Sequence, residues 1–148
     1  MTVYRIAKER YIRDLSGTGA ELSGGRWNPK GLPALYTSSS LPLCMCEILA
    51  HTDRDISPTD MCFAEISCPD DCISEEFFSE AALESSSENG AKWLRAKSSL
   101  AIKVPSALLP KNYAKDFNII LNPLHKDFSL LRIESVLPVT FDVRFFQQ

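Results

Sequence analysis

The sequence predicts an α+β domain with six or so strands and two or three helices. Its 148 residues are enough for one substantial hydrophobic core, and neither an internal repeat nor an interdomain linker divides them. Short alternating or apolar segments bounded by turn residues, which are typical of strands, are interspersed with longer segments of helical character. We therefore expect a single domain over residues 1–148.

The first part of the chain predicts two strands separated by a long loop. The segment TVYRIA, residues 2–7, alternates well enough for a first strand, and residues 33–37 predict a short second strand. Between them, residues 16–32 carry five of the six glycines. We expect this stretch to be a flexible, hairpin-like loop that forms neither helix nor strand.

A helix over about 41–52 should follow the second strand. Ser39 or Ser40 can cap it, and Pro42 lies in its first turn, where a missing N–H group costs nothing. Because LPLCMCEILAHT is apolar nearly all round, we expect this helix to be buried. The next segment, residues 59–69, predicts a strand whose alternation slips in phase, which indicates a bulge.

The second half of the chain predicts one more helix and three or four strands. The acidic, serine-rich segment 74–90 reads as a solvated connection with a helical turn, and 88–99 as an amphipathic helix with Trp93 inward. A strand is expected in LAIKVP, and two or three more in FNIILNPLH and FSLLRIESVLPVTFDVRFF, around a turn at Asn122–Pro123.

Charge and cysteine content limit the classes of partner and compartment. A net charge of −3 and a pI near 5.4 argue against a nucleic-acid or anionic-membrane surface, although a local basic site for a small anion stays possible. No run of 18 apolar residues predicts a membrane-spanning helix, and no apolar leader begins the chain. The five cysteines form no CxxC pair, so we expect reduced thiols, mostly in the core, of a cytoplasmic protein.

Arg26 is the first candidate functional residue. It lies in ELSGGRWNPKG, where neighbouring glycines let the backbone approach a ligand and a guanidinium can make bidentate contacts with phosphate. The loop fits neither GxxxxGK[ST] nor GxGxxG. The plain alternative is a surface loop with a solvated arginine and a packed Trp27.

Glu47 is the second candidate, because the residues three and four positions away, which share its face of the predicted helix, are mostly apolar. A carboxylate on such a face needs a partner, and it can equally be a satisfied structural residue or a catalytic group. A metal site built from Glu47, His51 and His125 is geometrically feasible, but the chain has no HExxH motif and only two histidines. No GxSxG elbow indicates a serine nucleophile.

Other candidates are weak when each is taken alone. Tyr36, which ends the second strand, is an ordinary core tyrosine by itself. Ser106 and Asn122 each follow a predicted strand and read as turn residues.

Taken together, these segments resemble one family. The succession GGRWNPKGLPALYTSSSLPLCMCEILAH, then a Trp-bearing helix running into LAIKVPSALLP, then FNIILNPLHKDF is similar in order and spacing to the RES-domain family. That family is named for an arginine, a glutamate and a serine, which correspond here to Arg26, Glu47 and Ser106. The resemblance extends from about Tyr4 to Asp142.

The resemblance implies a mixed-sheet fold like that of the ADP-ribosyltransferase toxins. It also implies the toxin of a bacterial toxin–antitoxin pair that degrades NAD⁺, as a glycohydrolase or a phosphorylase. The implied partner is a helix-turn-helix antitoxin of the Xre type that covers the NAD⁺ pocket. NAD⁺ would be the substrate, with no metal, no direct nucleic-acid contact and no membrane.

Site roles follow from the resemblance. Glu47 would stabilise the ribosyl cation or hold its 2′-hydroxyl, Arg26 would hold the pyrophosphate or a ribose, and Tyr36 would stack on the nicotinamide. Ser106 would hydrogen-bond the ribose or Glu47. His51 and Asn122 are expected in the pocket wall.

Two other functions stay open from the sequence. The protein could be a mono-ADP-ribosyltransferase acting on a cellular protein, since the acceptor is chosen by the surface around the pocket. It could also be a binding module without enzymatic activity.

Overall fold

The computed structural model describes residues 1–146, and these residues form one seven-stranded sheet. The strands are β1 (Thr2–Lys8), β2 (Leu35–Ser38), β3 (Met61–Ser67), β4 (Ile73–Ser74), β5 (Ala101–Val104), β6 (Asn118–Leu121) and β7 (Arg132–Pro138). They lie in the order β4-β5-β6-β2-β1-β3-β7. Every neighbouring pair is antiparallel except β4 and β5, which are parallel. The predicted α+β class is confirmed, and the sheet is mixed.

Four α-helices accompany the sheet in the described residues. They are α1 (Thr18–Ser23), α2 (Leu41–Ala50), α3 (Glu80–Glu84) and α4 (Ser86–Ala96). The predicted cap of α2 is Ser40, whose Oγ accepts the Leu43 N–H at 3.3 Å, and Pro42 lies in the first turn. None of the helices in residues 1–146 is both long and apolar enough to cross a membrane.

Two segments are more ordered than the sequence predicted. The glycine-rich stretch 16–32 contains the short helix α1. The acidic stretch 74–90 contributes to β4 and contains α3 and the start of α4. Phe77 of this stretch packs against Trp27, with the ring centroids 6.1 Å apart. This aromatic contact attaches the segment to the rest of the fold, although its acidic composition predicted a solvated connection.

The sheet buries its two faces differently. One face holds the largest apolar cluster, which includes Val3, Leu35, Ala64, Ile66, Ile119 and Leu121. The opposite face holds two smaller clusters: one under α4, which contains Trp27, Trp93 and Ile120, and one under α2, which contains Ile6 and Cys44. Polar side chains on this second face therefore lie in the gap between two apolar clusters.

The bulge predicted for the segment 59–69 is absent from β3. The pairing of β3 with β7 shifts register where Glu65 faces Ser135 and Ile66 faces Ile133, so the extra residue is Glu134 of β7. The strand β3 itself is regular and pairs with β1 without a break from Met61 to Ser67. Its buried residues are Cys62, Ala64 and Ile66, which face the largest cluster.

The helix α2 is only half buried, which corrects the expectation of full burial. Leu43 and Cys44 are its buried residues, whereas Cys46 is exposed and Glu47 is of intermediate exposure. The reason is that α2 packs on β1 and β2 along one side and leaves its other side to solvent, although that side also carries apolar residues. All five cysteines are free thiols; Cys44, Cys62 and Cys68 are buried, as expected for core residues.

Candidate functional site

The carboxylate of Glu47 is held by two hydrogen bonds to one of its oxygens. Its Oε1 accepts from Ser106 Oγ and from Asn118 Nδ2, each at 2.7 Å. The other oxygen, Oε2, has no hydrogen-bond partner within residues 1–146. Among residues 1–146, only one fully buried side-chain polar atom lacks a hydrogen-bond partner, and that atom is Ser135 Oγ. Since Glu47 Oε2 also lacks a partner, it is not fully buried and is open to solvent. One oxygen is thus fixed and the other is available to a ligand.

Ser106 is buried directly beyond the end of β5. Its Oγ donates to Glu47 and also accepts the N–H of Leu108 at 3.1 Å. Because the hydroxyl proton points at a carboxylate and no histidine is bonded to Oγ, the geometry suits a positioning group rather than an activated nucleophile. The sequence-based expectation of a bond between Ser106 and Glu47 agrees with this geometry.

Asn118 was missed by the sequence reasoning. It begins β6 and faces Ser38 of β2 in direct register, and Ser38 Oγ donates to Asn118 Oδ1 at 2.8 Å. A signal was available, because Asn118 shares strand periodicity with Ile120 in an otherwise apolar segment. The residues Glu47, Ser106, Asn118 and Ser38 form one network, which we call the carboxylate network.

Arg26 lies at the tip of a tight turn. Gly25 and Asn28 exchange backbone hydrogen bonds, at 2.9 Å for the Gly25 N–H and 3.4 Å for the Asn28 N–H. Trp27 and Asn28 are buried, whereas Arg26 is exposed. No ion-pair partner for its guanidinium occurs among residues 1–146. The turn (residues 25–28, the arginine turn) therefore presents a free cation on an anchored backbone.

Tyr36 fastens this turn to the sheet. Its hydroxyl donates to Asn28 Oδ1 at 2.6 Å and accepts the Trp27 N–H at 2.9 Å. Burial raises the pKa of Tyr36 to about 12, against the smaller opposing effects of the hydrogen bonds and of the nearby Arg26 charge. The phenol is thus neutral at physiological pH.

The two glycines before Arg26 are required by the structure of the turn itself. Gly24 has φ 74°, in the left-handed region that favours glycine, at the end of α1. A Cβ on Gly25 would lie 2.6 Å from the Tyr36 hydroxyl oxygen. Gly24 thus supplies the backbone conformation that leads from α1 into the arginine turn, and Gly25 leaves room for the Tyr36 hydroxyl.

The carboxylate network and the arginine turn are adjacent. Tyr36 and Ser38 lie two residues apart on one face of β2, which separates them by roughly 7 Å. Tyr36 belongs to the turn and Ser38 to the network. The structure therefore joins Glu47 and Ser106 directly and places Tyr36 and Arg26 in the neighbouring unit.

The two predicted wall residues lie outside the hydrogen-bonded carboxylate network. The side chain of Asn122 is fully buried, donates to the Leu94 carbonyl at 3.2 Å and accepts the Leu124 N–H at 3.0 Å. It lies about 13 Å along β6 from Asn118. His51 is exposed at the C-terminal end of α2. Neither makes a hydrogen bond with the carboxylate network.

The alternative metal site also has no support from the geometry. His125 Nδ1 accepts the N–H of Asp127 at 3.0 Å, in the turn beyond β6. Within residues 1–146, no three histidine, cysteine or acidic side chains are grouped closely enough to hold a metal ion.

Comparison with known proteins identifies the class to which this fold and site belong. The model of the RES domain matches residues 2–142, so the chain belongs to the RES-domain family. It is 35% identical to Toxin Res of Yersinia enterocolitica over 95% of both chains. It is 28% identical to the Prs ADP-ribosylating toxin of a Sphingobium species, over 88% of this chain and 86% of that protein.

A solved structure shares the fold. A chain of the MbcT–MbcA toxin–antitoxin complex of M. tuberculosis superimposes with a TM-score of 0.71 and 19% identity, over 94% of this chain and 84% of that chain. Together with the Sphingobium relative, this confirms the predicted likeness to ADP-ribosylating toxins at the level of fold.

Proposed function

We propose that this protein is the toxin of a bacterial toxin–antitoxin pair and depletes NAD⁺ by cleaving the bond between nicotinamide and ribose. The acceptor would be water or phosphate, which makes it a glycohydrolase or a phosphorylase. The observation that carries the proposal is the Glu47 carboxylate, with Oε1 fixed by Ser106 and Asn118 and Oε2 open. The toxin names of its relatives support the biological role.

The chemistry of the bond suits a single carboxylate. Nicotinamide in NAD⁺ is a cationic leaving group, so its departure with the bonding electron pair requires no general acid. The ribosyl group then becomes oxocarbenium-like, and a nearby anion stabilises it. Glu47 supplies that anion through Oε2, which can also hold the ribose 2′-hydroxyl.

The arginine turn supplies the binding groups. Arg26 has an unpaired guanidinium that can contact the pyrophosphate of NAD⁺ in bidentate fashion. The Tyr36 hydroxyl is already engaged with Asn28 and Trp27, so its contribution to binding would come from the ring, by stacking and cation–π attraction to nicotinamide.

The partner and compartment follow from the same role. The fold likeness to a chain of a toxin–antitoxin complex supports an antitoxin partner. We propose a helix-turn-helix protein of the Xre type that covers the carboxylate network and the arginine turn. The protein would act in the cytoplasm, where NAD⁺ is available.

The first test is to incubate purified, antitoxin-free protein with NAD⁺ and to follow the products by HPLC or NMR, with and without phosphate. We expect nicotinamide release. A phosphorylated ADP-ribose product would identify a phosphorylase, and a phosphate-independent rate a glycohydrolase. Folded protein that releases no nicotinamide would contradict the proposal.

Two variants with matched controls assign the roles. Glu47→Gln keeps the size of the side chain and removes its charge, and we expect kcat to fall by about 10²–10³-fold. The exposed Glu84→Gln is its control. Arg26→Ala should raise KM for NAD⁺, whereas Arg13→Ala, at another exposed arginine, should leave it unchanged. Thermal unfolding of each variant separates loss of function from loss of fold.

A second candidate is a mono-ADP-ribosyltransferase that modifies a cellular protein. It is favoured by the Sphingobium relative, whose name describes an ADP-ribosylating toxin. Incubating the protein with NAD⁺ labelled in its ADP-ribose part and a cell lysate distinguishes the two. A discrete labelled protein band supports transfer, whereas free ADP-ribose products alone support hydrolysis or phosphorolysis.

A further inference from the structure

The two donors to Glu47 Oε1 come from different segments of the chain. Ser106 follows the end of β5 and Asn118 begins β6, and these neighbouring antiparallel strands pair Val104 with Asn118. One hydrogen bond would leave the carboxylate free to turn about that bond. Two donors that converge on the same oxygen restrict the rotation, and the position of Oε2 is then defined.

The orientation of the Asn118 amide is fixed chemically. A carboxylate oxygen only accepts hydrogen bonds, so the atom that faces Glu47 is the amide nitrogen. The amide oxygen must then face Ser38, whose Oγ donates to it at 2.8 Å. Ser38 is 3% exposed, so its hydroxyl has little access to water as an alternative partner.

We propose that Asn118, oriented by Ser38, is a positioning residue that sets the rotation of the Glu47 carboxylate and directs Oε2 toward the ligand. This inference rests on the proposed function for its kinetic consequence. Asn118 acts through Glu47, and Ser38 acts through Asn118. The order of the relay is Ser38 hydroxyl, Asn118 amide, Glu47 carboxylate.

The kinetic test is a double-mutant cycle between Asn118→Ala and Glu47→Gln. If Asn118 acts through Glu47, Asn118→Ala should lower kcat by about 10- to 100-fold with KM for NAD⁺ little changed. In the Glu47→Gln background the same change should leave the residual rate about unchanged. An equal loss in both backgrounds would overturn the inference.

Ser38 provides a second test, in which one substitution removes the hydroxyl and another keeps it. Ser38→Ala should reduce kcat in the same direction as Asn118→Ala, and Ser38→Thr, which keeps the hydroxyl, should restore it. The matched control is Thr37→Val. Thr37 is the adjacent residue on β2, is equally buried, and donates Oγ1 to the Ile119 carbonyl at 2.7 Å on the opposite face. Thr37→Val should leave kcat unchanged. Its effect on the free energy of unfolding should be the same in the wild type and in the Glu47→Gln background.

Crystal structures of the wild-type protein and of Asn118→Ala test the geometry without any assay of turnover. We expect the Glu47 carboxylate to be turned or spread over several rotamers in the variant. An unmoved carboxylate would overturn the positioning role even if NAD⁺ is cleaved. A carboxylate displaced in Asn118→Ala, together with a wild-type protein that releases no nicotinamide, would support the positioning role and reject the proposed reaction.

Discussion

At the scale of single residues, the Tyr36 hydroxyl bridges two groups of the arginine turn. It donates to Asn28 and accepts from the Trp27 N–H, and both of those residues are buried. Removing a hydroxyl in such a place leaves a buried donor and a buried acceptor without partners. Tyr36 therefore contributes to the site through the stability of the turn as well as through its ring.

Tyr36→Phe should lower the free energy of unfolding by about 1–3 kcal/mol, because it leaves those two groups unpaired. Urea denaturation followed by tryptophan fluorescence measures the change. The control is Tyr113→Phe, at an exposed tyrosine, where we expect a change within about 0.5 kcal/mol. Equal stabilities of the Tyr36 and Tyr113 variants would contradict this reading of the turn.

The same residue predicts a dependence of stability on alkaline pH. The pKa of Tyr36 is raised from the ordinary 10.0 to about 12 by burial. Between these values the unfolded chain loses the phenolic proton and the folded protein keeps it, so the free energy of unfolding falls as pH rises through this window. Below pH 10 the contribution is fully present. The difference in stability between the wild type and Tyr36→Phe should narrow between about pH 10 and 12; a constant difference would argue against a buried phenol.

At the scale of elements, α4 and the arginine turn meet backbone to backbone. A Cβ on Gly90 of α4 would overlap the carbonyl oxygen of Trp27. A glycine inside a helix normally costs stability, and here it permits a contact that no side chain allows. The helix thus helps to hold the turn that presents Arg26.

Gly90→Ala should destabilise the protein by about 1–3 kcal/mol through overpacking, against the usual helix preference for alanine. Gly19→Ala in α1 is the matched control. No atom lies within 4 Å of a Cβ built there, so this change should be neutral or stabilising. Thermal unfolding of both variants gives the comparison, and a stabilised Gly90→Ala protein would refute the close contact.

Two cysteines of helix α2 lie in different environments. Cys44 is buried, and burial raises its pKa to about 12, whereas Cys46 is exposed. Since the thiolate is the reactive form, a thiol reagent at pH 8 should modify Cys46 quickly in the folded protein and Cys44 only after unfolding. Peptide mapping by mass spectrometry locates the label. The Cys46→Ser variant should lose the fast reaction at this helix, and fast labelling of Cys44 would show that α2 detaches from the sheet.

At the scale of the whole molecule, the site depends on parts that are distant in the chain. Glu47 is 59 residues from Ser106 and 71 from Asn118. Trp27 and Trp93 are buried together in the cluster beside the arginine turn. Because all these parts pack on one sheet, we expect the site and the core to unfold in a single transition.

Tryptophan fluorescence and the rate of nicotinamide release should therefore decline with the same midpoint in urea. Coincident curves are expected for a single cooperative domain, which is also what the sequence predicts for residues 1–148. Loss of turnover at clearly lower urea than the loss of fluorescence would show that the site opens separately from the core.

Several features were predictable from local sequence. Strand periodicity and the Ser40 cap with Pro42 depend on interactions between near neighbours, and the structure confirms them. The bulge expected in β3 was wrong, because the extra residue lies in β7 and β3 alternates regularly. The family resemblance also indicated Glu47 and Ser106, which the structure joins by a hydrogen bond. The burial of α2 was misjudged, because composition does not tell how much of an apolar helix the rest of the fold can cover.

The sequence by itself determined the α+β class and the family, and it indicated Glu47 and Ser106 as candidate site residues. Only the tertiary structure decided that Asn118 and Ser38 belong to the carboxylate network and that Asn122 does not. It also decided that Gly25 lies against the Tyr36 hydroxyl, where a side chain would collide. The physical reason is that these contacts depend on strand order and register. Hydrogen bonds between residues tens of positions apart exist only once β2 and β6 are paired and α2 lies on the sheet.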